Sequence, residues 1–297
     1  MNAATGRADM RTGWSPYAFV APFVLVFLVF TAYPTLQSIA LSVQQTYGPQ
    51  ASRYVGLQNF VGLAHDPLFW KALTNTAVFA AGSIFIQLPC SLGLALLLNM
   101  PQVRGRAFFR LVFFSPSLVG MIFVAVIFSL IFEKRTGLLN VLLHRAFGFD
   151  PEFPWLEDYV MPALIIAALW MYVGFNMVYF LAALQNVSPD LVDASRVDGA
   201  GVWHRFRHVT IPAIRPVGTF IVLLSLVGSF QLFELPYLLL GEGGGPNNRG
   251  LTLVMYLYQT GFETGDLGYA SAIGWVIAML LGAAAIMQRA VARGGER

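Results

Sequence analysis

Residues 160–216 read VMPALIIAALWMYVGFNMVYFLAALQNVSPDLVDASRVDGAGVWHRFRHVTIPAIRP, and the contrast between the two halves of this stretch decides the fold. Val160 to Leu184 carry no charge. A helix rising about 1.5 Å per residue over that length spans the roughly 30 Å of a bilayer's hydrocarbon. The polar half, Gln185 to Pro216, reads as a structured loop. Ser188 can cap a helix whose first turn holds Pro189 and Asp190, because proline lacks the unpaired donor and the acid meets the positive dipole end. Leu191, Ala194 and Val197 follow at helical spacing. Gly199 and Gly201 flank Ala200 and permit a reversal, after which Val202, Phe206 and Val209 form a second apolar stripe ending before Pro212. Two short amphipathic helices joined by a glycine turn are expected over about residues 186–216.

Working outward, five further segments have the length and apolarity of a span: Tyr17 to Val43, Leu73 to Met100, Phe108 to Phe132, Val217 to Leu240 and Gly268 to Ala290. With Val160 to Leu184 they predict an all-α integral membrane protein of about six transmembrane helices. Composition agrees. The chain is 57% hydrophobic and 11% charged, with a mean hydropathy of +0.66, against roughly 25% charged residues in a soluble domain. No polar stretch is long enough for an aqueous domain, so residues 1–297 are read as one membrane domain, with an N-terminal span at about 17–43 and core spans over about 73–290. The first segment follows Arg7 and Arg11 as a signal peptide would, but its apolar run is too long and closes on no small-residue cleavage site. It is read as an uncleaved span.

Basic residues are retained on the cytoplasmic side. One set of connections receives Arg7, Arg11, Arg104, Arg106, Arg110, Arg196, Arg205, Arg207, Arg215, Arg289, Arg293 and Arg297. The other receives only Arg53, Lys71, Lys134, Arg135, Arg145 and Arg249, with most of the acids. Both termini are therefore expected in the cytoplasm, as an even number of spans requires. On the outer side, Tyr54 to Lys71 reads as an interfacial helix, and Asp150 to Asp158 as a turn anchored by Trp155.

Several chemistries are excluded. The only lysines, Lys71 and Lys134, are not preceded by the glycines of a phosphate-binding P-loop, and neither H-E-x-x-H nor G-x-S-x-G occurs. The single cysteine, Cys90, forbids an internal disulfide or a cysteine metal cluster, and the scattered positive charge lacks the single basic face of a nucleic-acid binder. Gly241 to Asn247 reads as a flexible outer turn. His204 and His208 stand at i,i+4 but lack a third metal ligand at sensible spacing.

Intramembrane polar residues mark candidate pathway positions. Glu234 is the one ionisable residue placed well within a span, and an ionisable group there is expensive. Gln231, Glu234 and Tyr237 at i, i+3 and i+6 share one helix face and could offer acceptors and a stacking surface to a sugar. The competing reading pairs Glu234 with a neighbouring helix or sets it at the outer interface. Asn176, Trp170 and Tyr179 on the fourth span are weaker candidates. The loop itself, displaying Trp203, His204, Arg205, Arg207 and His208, suits lipid headgroups or a groove on a soluble partner equally.

A family resemblance separates these. Asp193-Ala194-Ser195, Asp198-Gly199-Ala200 and Ile211-Pro212 resemble the EAA loop of ABC-importer permeases, with Asp193 for the usual glutamate, Ser195 for the second alanine and Thr210 before Ile211. Tyr54 to Phe60 (YVGLQNF), Arg106 to Pro116 (RAFFRLVFFSP), Thr136 to Asn140 (TGLLN), Phe233 to Pro246 (FELPYLLLGEGGGP) and Gly268 to Ala272 (GYASA) resemble the carbohydrate-uptake permeases of the maltose and glycerol-phosphate group, the first of each pair especially. The resemblance implies the type I ABC-importer permease architecture in a bacterial inner membrane. It further implies a second permease, two ATPase subunits that bind the ATP and magnesium, an external solute-binding protein, and a sugar or polyol cargo. This chain itself would hold no cofactor, and its loop would insert into a cleft of the ATPase. A secondary transporter or channel, and a membrane anchor for a cytoplasmic partner, are the competing classes.

Overall fold

The computed structural model describes residues 14–46 and 52–294 and is built almost entirely of helices. Tyr17–Ser42 (α1) leads into a small antiparallel ribbon, Gln44–Thr46 (β1) with Ser52–Tyr54 (β2), in which Gln44 faces Tyr54. Gln58–His65 (α2), Pro67–Asn99 (α3), Arg106–Leu118 (α4), Met121–Ile131 (α5) and Leu138–Phe147 (α6) follow. The second half holds Val160–Gln185 (α7), Pro189–Val197 (α8), Val202–Phe230 (α9), Glu234–Leu240 (α10), Leu253–Tyr258 (α11) and Leu267–Gly294 (α12). Among the described residues five helices are long and apolar enough to cross a bilayer, and α4 with α5 makes a sixth if the pair counts as one span. Arg7, Arg11 and Arg297 of the charge pattern lie outside the described residues.

The middle of α7 is the hub. It packs against α3, α4 and α9, and half of its most apolar window is buried, whereas the corresponding window of α1 has no buried residue. Phe19 and Phe23 of α1 are 85% and 72% exposed, a surface that only lipid or another membrane chain can cover without cost. The far end of α1 is held by α12. One end of the bundle is packed by Leu98, Leu184 and Ile214, and the opposite end by Phe132 and Val160 in one cluster and by Leu63, Leu251 and Leu253 in another.

Prolines explain three of the helix irregularities. Tyr33, Leu88 and Ile211 each donate their backbone N–H to the carbonyl five residues back, making a π turn, and each immediately precedes a proline, Pro34, Pro89 or Pro212. A proline ring would clash with the carbonyl four residues back, and the wider turn relieves that without ending the helix. Residues 202–210 are therefore the first turns of α9. This corrects the expected pair of short helices, because only α8 is separate and the second apolar stripe is the start of the fifth span.

Three other expected boundaries move. The segment Phe108 to Phe132 is not one straight helix: α4 and α5 meet at 99°, because Pro116 lies in the last turn of α4 and Val119 and Gly120 are extended. The segment Val217 to Leu240 is also broken, since α9 stops at Phe230 and α10 begins at Glu234. Pro236 is tolerated in the first turn of α10 and would have clashed with the Leu232 carbonyl in a continuous helix. Thr252 instead donates its hydroxyl to that carbonyl at 2.6 Å, so the break leaves it satisfied. Finally, Asp66 caps α3 by accepting from the Leu68 N–H at 2.9 Å, so the helix starts at Pro67 and takes in Lys71, and the interfacial helix shortens to α2.

The same Asp66 carboxylate accepts hydrogen bonds from the Tyr256 hydroxyl and, at 3.0 Å, from the Tyr269 hydroxyl. It ties the start of α3 to α11 and α12. Asp66→Ala removes the cap and leaves two part-buried hydroxyls without their acceptor, a loss of about 3 kcal/mol. Faster hydrogen exchange over α11, with α7 unchanged, is the expected signature.

Candidate functional site: the loop between α7 and α9 and the cavity between helices

The α8 turn is built from its last residues outward. Gly199 adopts φ +74°, its N–H donates to the Arg196 carbonyl at 3.1 Å, and the Ala200 N–H donates to the Ser195 carbonyl at 2.9 Å. This paired closure with a left-handed residue just past the helix end is a Schellman motif, which glycine enters without a Cβ clash. Gly201 is extended, at φ −64° and ψ 166°, and opens α9, so only Gly199 requires glycine for the reversal. Ser188 and Pro189 stand at the helix start as the sequence predicts, but the Ser188 side chain makes no capping bond.

The candidate loop residues Asp193, Ala194, Ser195, Asp198, Gly199 and Ala200 form one continuous projection, while Ile211 and Pro212 lie on α9 below it. The Asp193 carboxylate accepts from Arg196 at 2.8 Å, an exposed pair that holds the helix surface in order and adds little stability. The Ser195 hydroxyl turns back to the Val192 carbonyl at 2.6 Å. His204 and His208 stack with ring centroids 4.1 Å apart. Around these polar groups Leu191, Val197, Val202 and Trp203 are all more than half exposed. The loop thus carries apolar side chains that its own chain does not cover.

The second feature is a cavity of about 530 Å³ among α3, α5, α7, α9 and α10. Of the candidate pathway residues it brings together Asn176, Gln231 and Glu234. Tyr237 is not among its walls; it stacks on Phe233 at 5.0 Å and meets Tyr258 edge-on. The expected single face for Gln231, Glu234 and Tyr237 fails because the helix breaks between the first two. Glu234 is likewise not deep within a span but is the first residue of α10. Trp170 packs edge-on against Phe128, and Tyr179 lies against Phe175 and Phe220, so neither lines the cavity.

The cavity also recruits residues the sequence reading missed: Ser83 and Gln87 on α3, Tyr172 and Phe175 on α7, and Ser225 and Ser229 on α9. A signal was present, since Ser83 with Gln87 and Ser225 with Ser229 each stand at i,i+4 on one face of an apolar helix. A wall of amides, hydroxyls, one carboxylate and several rings suits a solute with many hydroxyl groups and apolar faces.

Residues 87–294 match the family model described as binding-protein-dependent transport system inner membrane component. The chain belongs to this family. It is a multi-pass inner-membrane permease, a component without catalytic activity of its own. The permease is 39% identical to the arabinooligosaccharides transport system permease protein AraP of Bacillus subtilis (strain 168), over 92% of this chain and 90% of that one. It is 33% identical to the lactose transport system permease protein LacF of Rhizobium radiobacter, over 98% and 99%. With the sn-glycerol-3-phosphate transport system permease protein UgpA of Salmonella typhimurium (strain LT2) it shares 32%, over 94% and 93%. The fold is that of a chain in a crystal structure of a bacterial ABC transporter importing the acidic polysaccharide alginate, with a TM-score of 0.80 at 23% identity, covering 94% of this permease and 95% of that chain. The type I importer architecture expected from the sequence is thus observed.

Proposed function

We propose that this permease forms half of the translocation pathway of an ATP-driven sugar or polyol importer and takes its power stroke through the α8 loop. The observation that carries this reading is the loop's build: a short helix locked by the Gly199 turn, flanked by exposed Leu191, Val197, Val202 and Trp203. Apolar side chains clustered on a projecting helix are stabilised by a groove on a partner, and a helix held in a groove moves with it. The partner is an ATPase subunit, and ATP and magnesium are bound there. The assembly comprises this chain, a second permease, two ATPases and an external solute-binding protein, with both termini of this chain in the cytoplasm. Asp193, Ala194, Ser195, Asp198, Gly199, Ala200, Ile211 and Pro212 make the coupling element. Asn176, Gln231 and Glu234 contact cargo in the cavity. Relatives named for arabinooligosaccharides, lactose and sn-glycerol-3-phosphate support a carbohydrate-like cargo.

Reconstitution in lipid vesicles tests this. ATP-dependent solute uptake that requires the cognate ATPase is the expected result. Uptake without ATP would make the protein a secondary transporter or channel, and ATPase docking without uptake would make it an anchor.

A further inference from the structure

The cavity holds one acid and no base. Glu234 lines it, and among the described residues no lysine, arginine or histidine does. None of the described ion pairs involves Glu234. Its neighbours in the wall are amides and hydroxyls, Asn176, Gln231 and Ser225, and aromatic rings, Tyr172 and Phe233. Glu234 is exposed to this space, and a charge of one sign on the wall of a cleft between apolar helices focuses its field into the cleft. An anionic solute entering this space would shed water, meet a like charge and find no donor of opposite sign. A neutral sugar brings hydroxyl donors for the carboxylate oxygens and apolar ring faces for the aromatics.

We propose that Glu234 sets the charge class of the cargo, admitting neutral carbohydrates and rejecting anionic ones such as sugar phosphates and uronates. The inference rests on the cavity being the solute's path. It goes further than family membership, since relatives are named for neutral solutes, arabinooligosaccharides and lactose, and for an anion, sn-glycerol-3-phosphate. Like-charge juxtaposition rejects wrong partners more effectively than it favours right ones, which is how one residue can divide a family by cargo charge.

The test reads the cavity's potential directly. In the complete importer in lipid vesicles, Cys90→Ala removes the free thiol and Ser225→Cys places one on the cavity wall. Modification rates are then compared for cationic trimethylammonium-ethyl and anionic sulfonato-ethyl methanethiosulfonate. The cation-to-anion ratio is expected to exceed that of a small free thiol by about tenfold or more, and Glu234→Gln to collapse it. A ratio that Glu234→Gln leaves unmoved overturns the charge selection while keeping the pathway. No reaction with either reagent overturns the pathway reading itself. In parallel, ATP-driven uptake of lactose and arabinotriose is measured against sn-glycerol-3-phosphate and lactobionate. Neutral probes are expected to dominate, with the anion-to-neutral ratio rising about tenfold in Glu234→Gln. Wild-type uptake of the anions at rates equal to the neutral probes would overturn the proposal.

Discussion

Gly199→Trp is expected to leave the permease in the membrane at normal abundance and to abolish ATP-driven uptake while the partner ATPase still hydrolyses ATP. Two observations fix the direction. At φ +74° a side-chain-bearing residue costs about 1–2 kcal/mol, which frays one turn of α8 but cannot unfold the bundle. Among the described residues nothing lies within 4 Å of the position a Cβ would take, so the indole would project from the loop rather than into the protein. It would meet whatever the loop docks against. Losing even about 2.7 kcal/mol of docking energy is a hundredfold loss of affinity, enough to disconnect the two subunits. Gly199→Ala, which carries the backbone cost alone, is expected to be intermediate. Gly148→Trp is the control, because Gly148 is also left-handed, at φ +66°, with nothing within 4 Å, and lies at the opposite end of the chain's fold, after α6. Uptake and ATP hydrolysis measured side by side decide the matter, and normal uptake by Gly199→Trp would remove the loop from the mechanism.

The second large effect falls on folding. In a helix interior Gly→Ala is ordinarily favourable by about 1 kcal/mol. At Gly174, in the middle of α7, a Cβ would overlap the Phe113 carbonyl and lie 2.8 Å from the Phe114 N, both backbone atoms of α4. Backbone cannot rotate away as a side chain can, so α4 must lift off α7, opening the bundle beside its hub. Gly174→Ala is expected to destabilise by about 3 kcal/mol and to reduce the yield of monodisperse protein in detergent several-fold. Gly282→Ala on α12, where a Cβ meets nothing within 4 Å, is the matched substitution and is expected to be neutral or stabilising. Equal melting behaviour of the two variants would contradict the close approach of α4 to α7.

Much of the architecture was legible in order along the chain. The spans announce themselves because lipid tolerates neither charge nor unpaired backbone, so a run of apolar residues long enough to cross is a physical statement. The α8 loop was legible for the opposite reason: Ser188, Pro189, Asp190, the apolar spacing to Val197 and Gly199 are all local signals, and a Schellman turn is closed by neighbours in sequence. The prolines were legible as positions but not as outcomes. Pro34, Pro89 and Pro212 widen their helices by one residue, whereas Pro116 and Pro236 sit at breaks. At the Pro116 break the neighbouring Ser115 takes the Val112 carbonyl at 3.0 Å, but at the Pro236 break the Leu232 carbonyl is taken by Thr252, a group distant in sequence that no local pattern reveals.

The cavity was legible only in fragments for the same reason. Asn176 and Glu234 stood out as polar residues in apolar surroundings, but the face expected for Gln231, Glu234 and Tyr237 assumed a helix that Pro236 interrupts. Ser83, Gln87, Ser225 and Ser229 looked unremarkable one helix at a time, since a serine satisfies itself on its own backbone, as Ser229 does on Ser225 at 2.7 Å. Hydropathy and local spacing thus settle that the chain lies in a bilayer and carries a rigid loop between two spans. Only the packing of α3, α5, α7, α9 and α10 decides which polar groups share one space, because a cavity is defined by residues far apart in sequence. Glu234 acquires its meaning there, as the one charge in a space whose other walls carry none.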